Sequence, residues 1–373
     1  MATLDKLMEQ AQEQGPRGES ASAKLAELGL AAAPSIIDVL RQMDPQHSAS
    51  NLQSALANMR DPGLVPLLID VIDEKSMDLV QTVFEVLGRT PHPRSLQALQ
   101  AYVSDEKNRE TRKALAVDAI GALGNARAVP QLIEVMDTAV AGKMTVLGLA
   151  TVLALAKLGD HSKAGWAIQL ATGTRDVTIR PAASMALQYL VAPGLFAALQ
   201  KIRKDKQVEV RLNAIDALLY LGAPQSVDEL LAMCKDREAT VATMARARLG
   251  DLTGNLDAET ATPRELASWW EAHRAQFSDG VCHRLGAPLH VPDIIALLDE
   301  PNMRERTLPE LEMITGVRFS TSSLTPVREQ NDVVDTARAW WKREGAKQIP
   351  TGGLYKYGHE QELSVVFQEP AQR

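Results

Sequence analysis

Apolar residues recur along this chain at the spacing of a helix face. The clearest segment, residues 128–159, has apolar side chains at i, i+3, i+4 and i+7: Val129, Leu132, Ile133 and Met136. A second helix is predicted from Lys143 to Leu158. Gly159 should end it, because glycine adopts the left-handed backbone that follows many helices without strain. The segment is therefore predicted to form two antiparallel helices joined by a short turn.

A Leu-Gly pair marks the end of this segment and recurs through the first two thirds of the chain. The pairs are Leu28-Gly29, Leu87-Gly88, Leu123-Gly124, Leu158-Gly159, Leu221-Gly222 and Leu249-Gly250. Degraded copies end at Met59-Arg60 and Leu190-Val191. The period is about 32 residues, and a fixed period of this length is typical of solenoids. The sequence thus predicts an all-α fold, an α-solenoid of helical hairpins, with prolines near the starts of the first helices.

The second helices share a finer pattern. A basic residue near the start, Lys113, Arg180 or Arg211, is followed by alanines three and six residues later. We expect the basic residue to bond to a carbonyl or carboxylate of the adjacent unit. Segments such as TIRPAASMALQYL and EVRLNAIDALLYLG resemble the HEAT-repeat family, in the short bacterial form also found in phycobilisome lyase subunits. The resemblance covers about residues 20–250. It implies a curved array whose second helices line a concave face.

Composition and charge narrow the possible partners. The net charge is −7, which argues against a general binder of phosphate backbones, so nucleic acid is not expected to be the partner. The two cysteines, Cys234 and Cys282, predict no disulfide framework and favour a reducing, cytoplasmic setting. Neither a secretory signal nor a run of membrane-spanning length is expected, so no membrane insertion is predicted.

The chain changes character near residue 250. Nine of the fifteen aromatic residues follow that point, and two segments repeat the order of Thr-Gly turn, polar loop and Trp-Trp helix. This order resembles the Leu-Thr-Gly…Trp ending of uncharacterised bacterial HEAT proteins. The segment HRLGAPLHVPDIIALL also loosely resembles such proteins encoded beside type VI secretion loci. The predicted domains are a solenoid of about eight units over 1–250, a Trp-rich extension with one further HEAT-like unit over 251–348, and a tail over 349–373.

Each Trp pair has two possible roles. Trp269-Trp270 and Trp340-Trp341 could cap the terminal repeats, because a large aromatic ring buries much apolar area. They could instead anchor a protein partner. Adjacent helix residues point about 100° apart, so one Trp of each pair is expected to be buried and the other partly exposed.

Candidate catalytic chemistry is sparse. The densest group of metal-ligand types, His273, Cys282, His283 and His290, lacks zinc-like spacing, and no metal is predicted. The HEAT-repeat hydroxylase that modifies a lysine of a translation factor carries repeated His-Glu ligands, whereas this sequence has one such dipeptide, His359-Glu360. A bilin-lyase activity, as in related short-HEAT proteins, is compatible with the repeats, but no residue demands it. A HEAT-like alkylpurine glycosylase would need a basic concave groove with Trp and Asp placed within it. Residues 1–250 contain one Trp, Trp166, and the net charge is acidic, so this activity is not expected.

Two other segments invite a functional interpretation. The run KIRKDKQVEVR, residues 201–211, is either a set of helix C-terminal charges or a patch for an acidic partner. The segment from Leu363 to Gln368 has some strand character, and the tail around it either folds back on the last unit or stays mobile.

The function predicted from these patterns is non-catalytic protein binding by a cytoplasmic, bacterial scaffold or adaptor, which needs no cofactor. Its expected binding residues are three inner-face positions of the second helices and both Trp pairs: Asp118, Ser184, Asp216, Trp269, Trp270, Trp340 and Trp341. The alternatives are a subunit of a bilin-lyase-like or other protein-modifying enzyme, and an accessory component of a bacterial secretion apparatus. The partner and the oligomeric state stay open.

Overall fold

The computed structural model describes residues 4–42, 50–320 and 327–370. Its internal contacts divide the chain into two compact units, residues 1–154 with 320–333, and residues 155–319 with 334–373. Helices dominate both units. Each unit is described by itself below.

The first unit is built from short helices in antiparallel pairs. These are α1 (Leu4–Gln10), α2 (Pro16–Leu28), α3 (Ala33–Gln42), α4 (Ser50–Asn58), α5 (Leu64–Ile69), α6 (Met77–Arg89), α7 (Pro93–Ser104), α8 (Glu110–Ala122) and α9 (Val129–Ala141). Helix α10 (Thr145–Lys157) continues into the second unit. The bounds of α9 and α10 agree with the two helices predicted within residues 128–159.

The second unit continues the same plan and then departs from it. Its helices are α11 (Ala164–Gly173), α12 (Ile179–Ala186), α13 (Leu195–Ile202), α14 (Val208–Leu221), α15 (Pro224–Met233), α16 (Ala239–Thr253), α17 (Pro263–His273), α18 (Val291–Leu297) and α19 (Pro301–Thr315). Helix α20 (Asp332–Trp340) runs on from the first unit, and a π-helical turn (Trp341–Gly345) leads from it into α21 (Ala346–Gln348).

Second helices pack against one another within each unit. In the first unit, α2, α4, α6 and α8 are consecutive neighbours, and in the second α12, α14 and α16 are. The approach is close because small residues face each other. A Cβ added to Gly88 would lie 2.9 Å from the Cα of Ala119, so these two helices meet backbone to backbone. The alanines of the second-helix pattern, including Ala116, Ala183 and Ala214, are fully buried.

Most of the predicted glycine markers end helices as expected. Gly29, Gly124, Gly159 and Gly222 all have positive φ. Two markers were wrong in position. Helix α6 runs through Gly88 to Arg89, and α16 runs through Gly250 to Thr253. The glycine that ends α16 is Gly254, with a φ of 71°, so Leu-Thr-Gly rather than Leu-Gly closes that helix.

Several turns between first and second helices share an aspartate. In four of them its Oδ1 accepts a hydrogen bond from the backbone N–H two residues later, at 2.8–2.9 Å: Asp105, Asp176, Asp205 and Asp236. Such a contact replaces a backbone partner and fixes the turn. It explains why an aspartate recurs at each of these four points, flanked by polar residues in all but Asp176, which Val177 follows.

Arginines at the starts of the second helices link consecutive helical repeats, as expected from the sequence. Arg180 pairs with Asp205 of the next turn at 3.3 Å. Arg211 donates to both carboxylate oxygens of Asp236, at 2.8 and 2.9 Å. In the unit of Lys113 the bonding residue is its neighbour Arg112, which donates to the carbonyls of Glu74 and Lys75, both at 2.7 Å.

Two small β-hairpins in the described part of the second unit were absent from the sequence prediction. Strand β1 (His283–Arg284) pairs with β2 (Ala287–Pro288), and β3 (Leu354–Lys356) pairs with β4 (His359–Gln361), both antiparallel. The strand character assigned to Leu363–Gln368 was wrong, because residues 363–367 form a 3₁₀ helix.

Each hairpin caps the end of a long helix in the same way. The backbone N–H groups of Leu285 and Gly286 donate to the carbonyls of Asp251 and Leu252, at 2.9 and 3.1 Å. These carbonyls lie three and two residues before Gly254. The last carbonyls of a helix lack partners within it, so the hairpin supplies the missing donors.

The second hairpin repeats this capping at α19. Tyr357 and Gly358 donate to Met313 and Ile314, at 2.5 and 2.9 Å. These carbonyls again lie three and two residues before a helix-ending glycine, Gly316. Arg-Leu-Gly at 284–286 and Lys-Tyr-Gly at 356–358 are therefore equivalent, and Leu285 and Tyr357 share an unusual positive φ of 56° and 53°.

The tail beyond the second hairpin folds back on its unit. Phe367 packs against Phe196 of α13, with ring centroids 4.8 Å apart. The N–H of Gly194 donates to the carbonyl of Gln368 at 2.7 Å. The described part of the tail, up to residue 370, is thus held in place by contacts with α13.

Candidate partner-binding hollow

The N-terminus of α17 is fixed by a reciprocal pair of hydrogen bonds. The N–H of Glu265 donates to the hydroxyl of Thr262 at 3.3 Å, and the N–H of Thr262 donates to the carboxylate of Glu265 at 2.7 Å. This capping box satisfies two of the unpaired donors at the helix start. It also sets the direction in which α17 presents Trp269 and Trp270.

Trp270 is an internal anchor. Its side chain is buried, its Nε1 donates to Oδ1 of Asp228 at 2.9 Å, and its ring meets the edge of Phe277 at 5.0 Å. The indole therefore joins α17 to α15 and to the segment that leads into the first hairpin.

Trp269 faces a different direction, as the 100° offset between neighbours requires. It is half-buried, and its ring lies nearly parallel to that of His273, with centroids 4.2 Å apart. A ring nitrogen of His273 also lies 2.7 Å from the carbonyl of Trp269. The stack holds the indole in one position while part of it stays open to solvent.

The open side of Trp269 borders a hollow of about 430 Å³, named here the Trp269 hollow. Its lining is otherwise polar or small and carries two carboxylates: Asn255, Asp257, Thr260, Ala261 and Glu265. Hydrogen bonds from Thr262 lower the pKa of Glu265, so that carboxylate stays ionised at neutral pH. The neighbouring loop residue Leu256 is 97% exposed. The hollow thus combines an aromatic surface with two negative charges.

The second Trp pair is also divided between the interior and the surface. Trp340 is buried against Phe319, with centroids 5.5 Å apart, whereas Trp341 is half-buried and 6.3 Å from the ring of His290. The buried residue is the second of the first pair but the first of the second pair. The π-helical turn begins at Trp341 and adds one residue between this pair and its hairpin.

The three predicted inner-face residues lie in different environments. Asp118 is exposed on α8. Ser184 is fully buried, donates to the carbonyl of Pro181 at 2.8 Å and accepts from Asn213 at 2.9 Å, so it serves helix packing. Asp216 is partly exposed, and burial raises its pKa although Arg248 lies 2.9 Å away.

The possible metal ligands have separate partners. Cys282 donates through its thiol to the carbonyl of Leu221 at 3.2 Å, and burial raises the pKa of this thiol to about 12. His283 is buried beside Phe277, and His290 lies 3.3 Å from Asp293. The His359-Glu360 dipeptide lies on the exposed strand β4.

A buried group of charges beneath the first hairpin was not predicted from the sequence. Asp251 lies 3.1 Å from both Arg248 and Arg306, and Arg284 pairs with Glu310. These residues come from three separate segments of the chain, 248–251, 284 and 306–310, and carry no shared motif. The available signal was the repeated cation two residues before a glycine, at Arg284-Leu-Gly and Lys356-Tyr-Gly.

Lys356 reaches into the interior of the second unit. Its side chain is fully enclosed, and its Nζ donates to the carbonyl of Gln188 at 2.7 Å and lies 3.4 Å from that of Tyr220. Burial lowers its pKa to about 8. The amine thus ties the second hairpin to the ends of two earlier helical segments.

Comparisons with known proteins agree with this fold. Residues 33–116 match the family model for HEAT repeats, and residues 113–138 match the model for the PBS lyase HEAT-like repeat. The predicted all-α solenoid class is confirmed by these matches and by the helical hairpins. None of the matches supports the resemblance to proteins near type VI secretion loci.

Three solved structures are similar to this chain. Human deoxyhypusine hydroxylase with glycerol is 16% identical, at a TM-score of 0.32, over 69% of this chain and 92% of its own. The CpcE–CpcF complex of phycocyanin lyase from Nostoc sp. PCC7120 is 17% identical, at 0.37, over 68% and 95%. An engineered protein is 16% identical, at 0.35, over 92% and 98%. All three TM-scores are below 0.5, so none bears on function.

The search of curated proteins found no match. Among the described helices, none has both the length and the apolar run that a membrane crossing needs. The two segments that match family models together span residues 33–138.

Proposed function

We propose that this protein is a non-catalytic scaffold that binds a partner protein, and that the Trp269 hollow receives a lysine or arginine side chain of that partner. The observation that carries the proposal is the half-buried indole of Trp269 beside the carboxylates of Asp257 and Glu265. An aromatic face and negative charges both favour a cation.

The expected strength of such a contact is modest. A cation over an indole contributes about 0.5–1 kcal/mol at an exposed site and about 2 kcal/mol when desolvated. The hollow is open, so the lower range applies, and several contacts must act together for specific binding. Asp118, Asp216 and Trp341 are proposed as further contacts, since each reaches the surface at least in part.

The remaining features of the proposal concern the partner and the setting. Protein is favoured over nucleic acid because the hollow is acidic and the net charge is −7, both of which repel phosphate. A cytoplasmic setting is supported by Cys234 and Cys282, which are buried, unpaired thiols. The mechanism needs no cofactor, because recognition follows from shape and charge.

The test is affinity capture from the native host with matched variants. Trp269→Ala removes the aromatic face, and Asp257→Asn with Glu265→Gln removes the charges while keeping the shape. Met185→Ala, at a side chain 47% exposed elsewhere in the unit, is the control. We expect the same proteins to be retained by wild type and control and reduced about fivefold or more by both hollow variants, a change of about 1 kcal/mol.

Equal capture by all four proteins would overturn the role of the hollow. The same preparation separates the alternatives. A coloured ligand, or a captured protein that gains or loses mass in the presence of wild type, would indicate a bilin-lyase-like or other modifying subunit. Capture of secretion-apparatus proteins alone would indicate an accessory role there.

A further inference from the structure

A second hollow in the same unit has the opposite charge. It lies between two consecutive turns, one joining α13 to α14 and the other joining α15 to α16, and its volume is about 420 Å³. We call it the basic hollow. Its lining is rich in cations: Arg203, Lys204, Asp205, Lys206, Arg211, Ala232, Met233, Asp236 and Arg237.

The two carboxylates of the basic hollow are already occupied. Asp205 accepts from the N–H of Gln207 at 2.8 Å and pairs with Arg180 at 3.3 Å. Asp236 accepts from the N–H of Glu238 at 2.8 Å and accepts two hydrogen bonds from Arg211. Their charges therefore serve the turns and the links between units.

Two of the five cations are also committed to the fold. Arg211 is 3% exposed and bonded to Asp236 and to the carbonyl of Asp205 at 2.9 Å. Arg203 forms an ion pair with Glu229, which lies outside the hollow. This leaves Lys204, Lys206 and Arg237, which are all exposed. Three positive charges at one concave site repel each other, and an anion would relieve that repulsion.

The repeat explains why these cations converge. Lys-Asp-Lys at 204–206 and Lys-Asp-Arg at 235–237 occupy equivalent turns of successive units. In both turns, the aspartate carboxylate accepts a hydrogen bond from the backbone N–H two residues later. The basic residues on either side of the aspartate therefore remain at the surface. Because these two repeats stack on each other, Lys204 and Lys206 of one turn lie beside Arg237 of the next turn.

The wall of the hollow indicates the kind of anion. Ala232 and the buried Met233 form an apolar part of the lining, which suits the methylene stem of a side chain rather than a free ion. We infer that the basic hollow binds an acidic segment of a partner protein, with its carboxylate or phosphate groups contacting Lys204, Lys206 and Arg237. This inference rests on the proposed protein-binding function and adds a second site with its own ligand chemistry.

The test uses the full chain and fluorescently labelled peptides of equal length. One peptide is glutamate-rich, one carries phosphoserines in place of the glutamates, and one is glutamine-rich and neutral. A single-stranded DNA of the same length is the fourth probe. The variant Lys204→Glu/Lys206→Glu/Arg237→Glu reverses the charge of the hollow. The control Lys24→Glu/Arg127→Glu/Lys347→Glu makes the same change of net charge at exposed positions elsewhere.

Fluorescence anisotropy should show binding of an acidic peptide but not of the neutral one, weakening as salt is raised. The hollow variant should lose about tenfold or more in affinity, and the control should stay within about twofold. The tighter of the two acidic peptides identifies carboxylate or phosphate as the preferred group. Equal losses in both triple variants, no binding of either acidic peptide, or tighter binding of DNA would overturn the inference.

The two proposals fail in distinguishable ways. Trp269→Ala leaves the basic hollow intact and should still bind the acidic peptide. If the acidic peptide binds as expected and Trp269→Ala captures the same cellular proteins as wild type, the proposed role of the Trp269 hollow is wrong and that of the basic hollow stands. If peptide binding is absent but the Trp269 variant loses its partners, the reverse holds.

Discussion

Arg284 and Glu310 form a doubly hydrogen-bonded ion pair that is almost completely withdrawn from solvent. The two bonds measure 2.8 and 3.0 Å, and the side chains are 2% and 4% exposed. Arg284 comes from the first hairpin and Glu310 from the middle of α19. The pair therefore fixes the hairpin to a helix that follows it in the chain.

Breaking this pair on one side should destabilise the protein strongly. Arg284→Ala leaves the Glu310 carboxylate buried without its partner, which costs about 3–5 kcal/mol. Urea unfolding followed by circular dichroism measures the loss. Replacing both residues by methionine should recover much of it. The exposed pair of Arg338 and Asp299 is the control, and Arg338→Ala should cost less than about 1 kcal/mol. Similar losses at both pairs would contradict the buried geometry.

His161 should make stability fall in mild acid. Burial lowers the pKa of His161 from 6.5 to about 4, and its Nδ1 accepts a hydrogen bond from the N–H of Val191 at 3.2 Å. Between these pH values the unfolded chain binds the proton and the folded chain does not, so stability drops as the pH falls from 6.5 towards 4. The difference between wild type and His161→Asn, measured by denaturant midpoints, should change across this window. A constant difference would exclude the effect.

Lys356 should affect folding stability in the alkaline range, and stability should again increase with pH, as it does for His161. Its pKa is lowered from 10.5 to about 8 by burial. Above pH 8 the folded chain releases this proton while the unfolded chain keeps it until about 10.5, so stability contributed by this site rises with pH over that window. Below pH 8 both states are protonated, and the burial penalty is constant. Comparison with Lys356→Met by thermal unfolding at pH 7, 8, 9 and 10 tests this, and parallel curves would count against it.

Gly254 should tolerate substitution less well than another glycine with the same backbone. Both Gly254 and Gly124 have a left-handed φ, of 71° and 65°. A Cβ at Gly254 would lie 2.7 Å from the carbonyl oxygen of Leu285, whereas one at Gly124 meets nothing within 4 Å. Gly124→Ala should cost about 1–2 kcal/mol from backbone strain alone. Gly254→Ala should cost at least about 1 kcal/mol more because the first hairpin must move. Equal melting temperatures would show that the hairpin does not pack there.

The two tryptophans of α17 should differ in their contribution to stability. Trp270→Ala removes a buried ring and leaves Asp228 without its indole partner, for a loss of about 3–5 kcal/mol. Trp269→Ala removes a half-buried ring and should cost clearly less. Thermal unfolding of the two single variants provides the comparison. A reversed order would mean that Trp269, not Trp270, anchors the helix.

The helices themselves were largely predictable because their signals are local. The apolar spacing of α9 and α10, the glycines at 124, 159 and 222, and the arginines at 180 and 211 all act through contacts within one unit or the next. The errors at Gly88 and Gly250 have a local cause too. Glycine allows close packing when it lies inside a helix and favours termination when it lies at a helix end. The sequence alone does not distinguish these two uses.

The candidate sites were only partly predictable. The sequence placed Trp269 and Trp270 on one helix with different exposures, but only the packing of α17 determines that Trp270 is the buried one. The basic run at 201–211 was recognisable in the sequence. Arg211 within this run, however, is buried in an ion pair with Asp236, and the surface cation beside Lys204 and Lys206 is Arg237 of the next repeat. Which charged side chains form internal ion pairs depends on neighbours that lie about one repeat away in the chain.

The sequence by itself determined the repeating helical hairpins, since the apolar period and the helix-ending glycines each act over a few residues. Tertiary structure alone decided the two β-hairpins, whose strands of two or three residues are too short to leave a periodic signal. Their stability comes from carbonyls at the ends of distant helices and from Arg284 and Lys356, whose partners lie 26 and 168 residues away in the chain. Such contacts stabilise the hairpins only where the helices are packed around them, because burial is what makes an unpaired carbonyl or carboxylate costly.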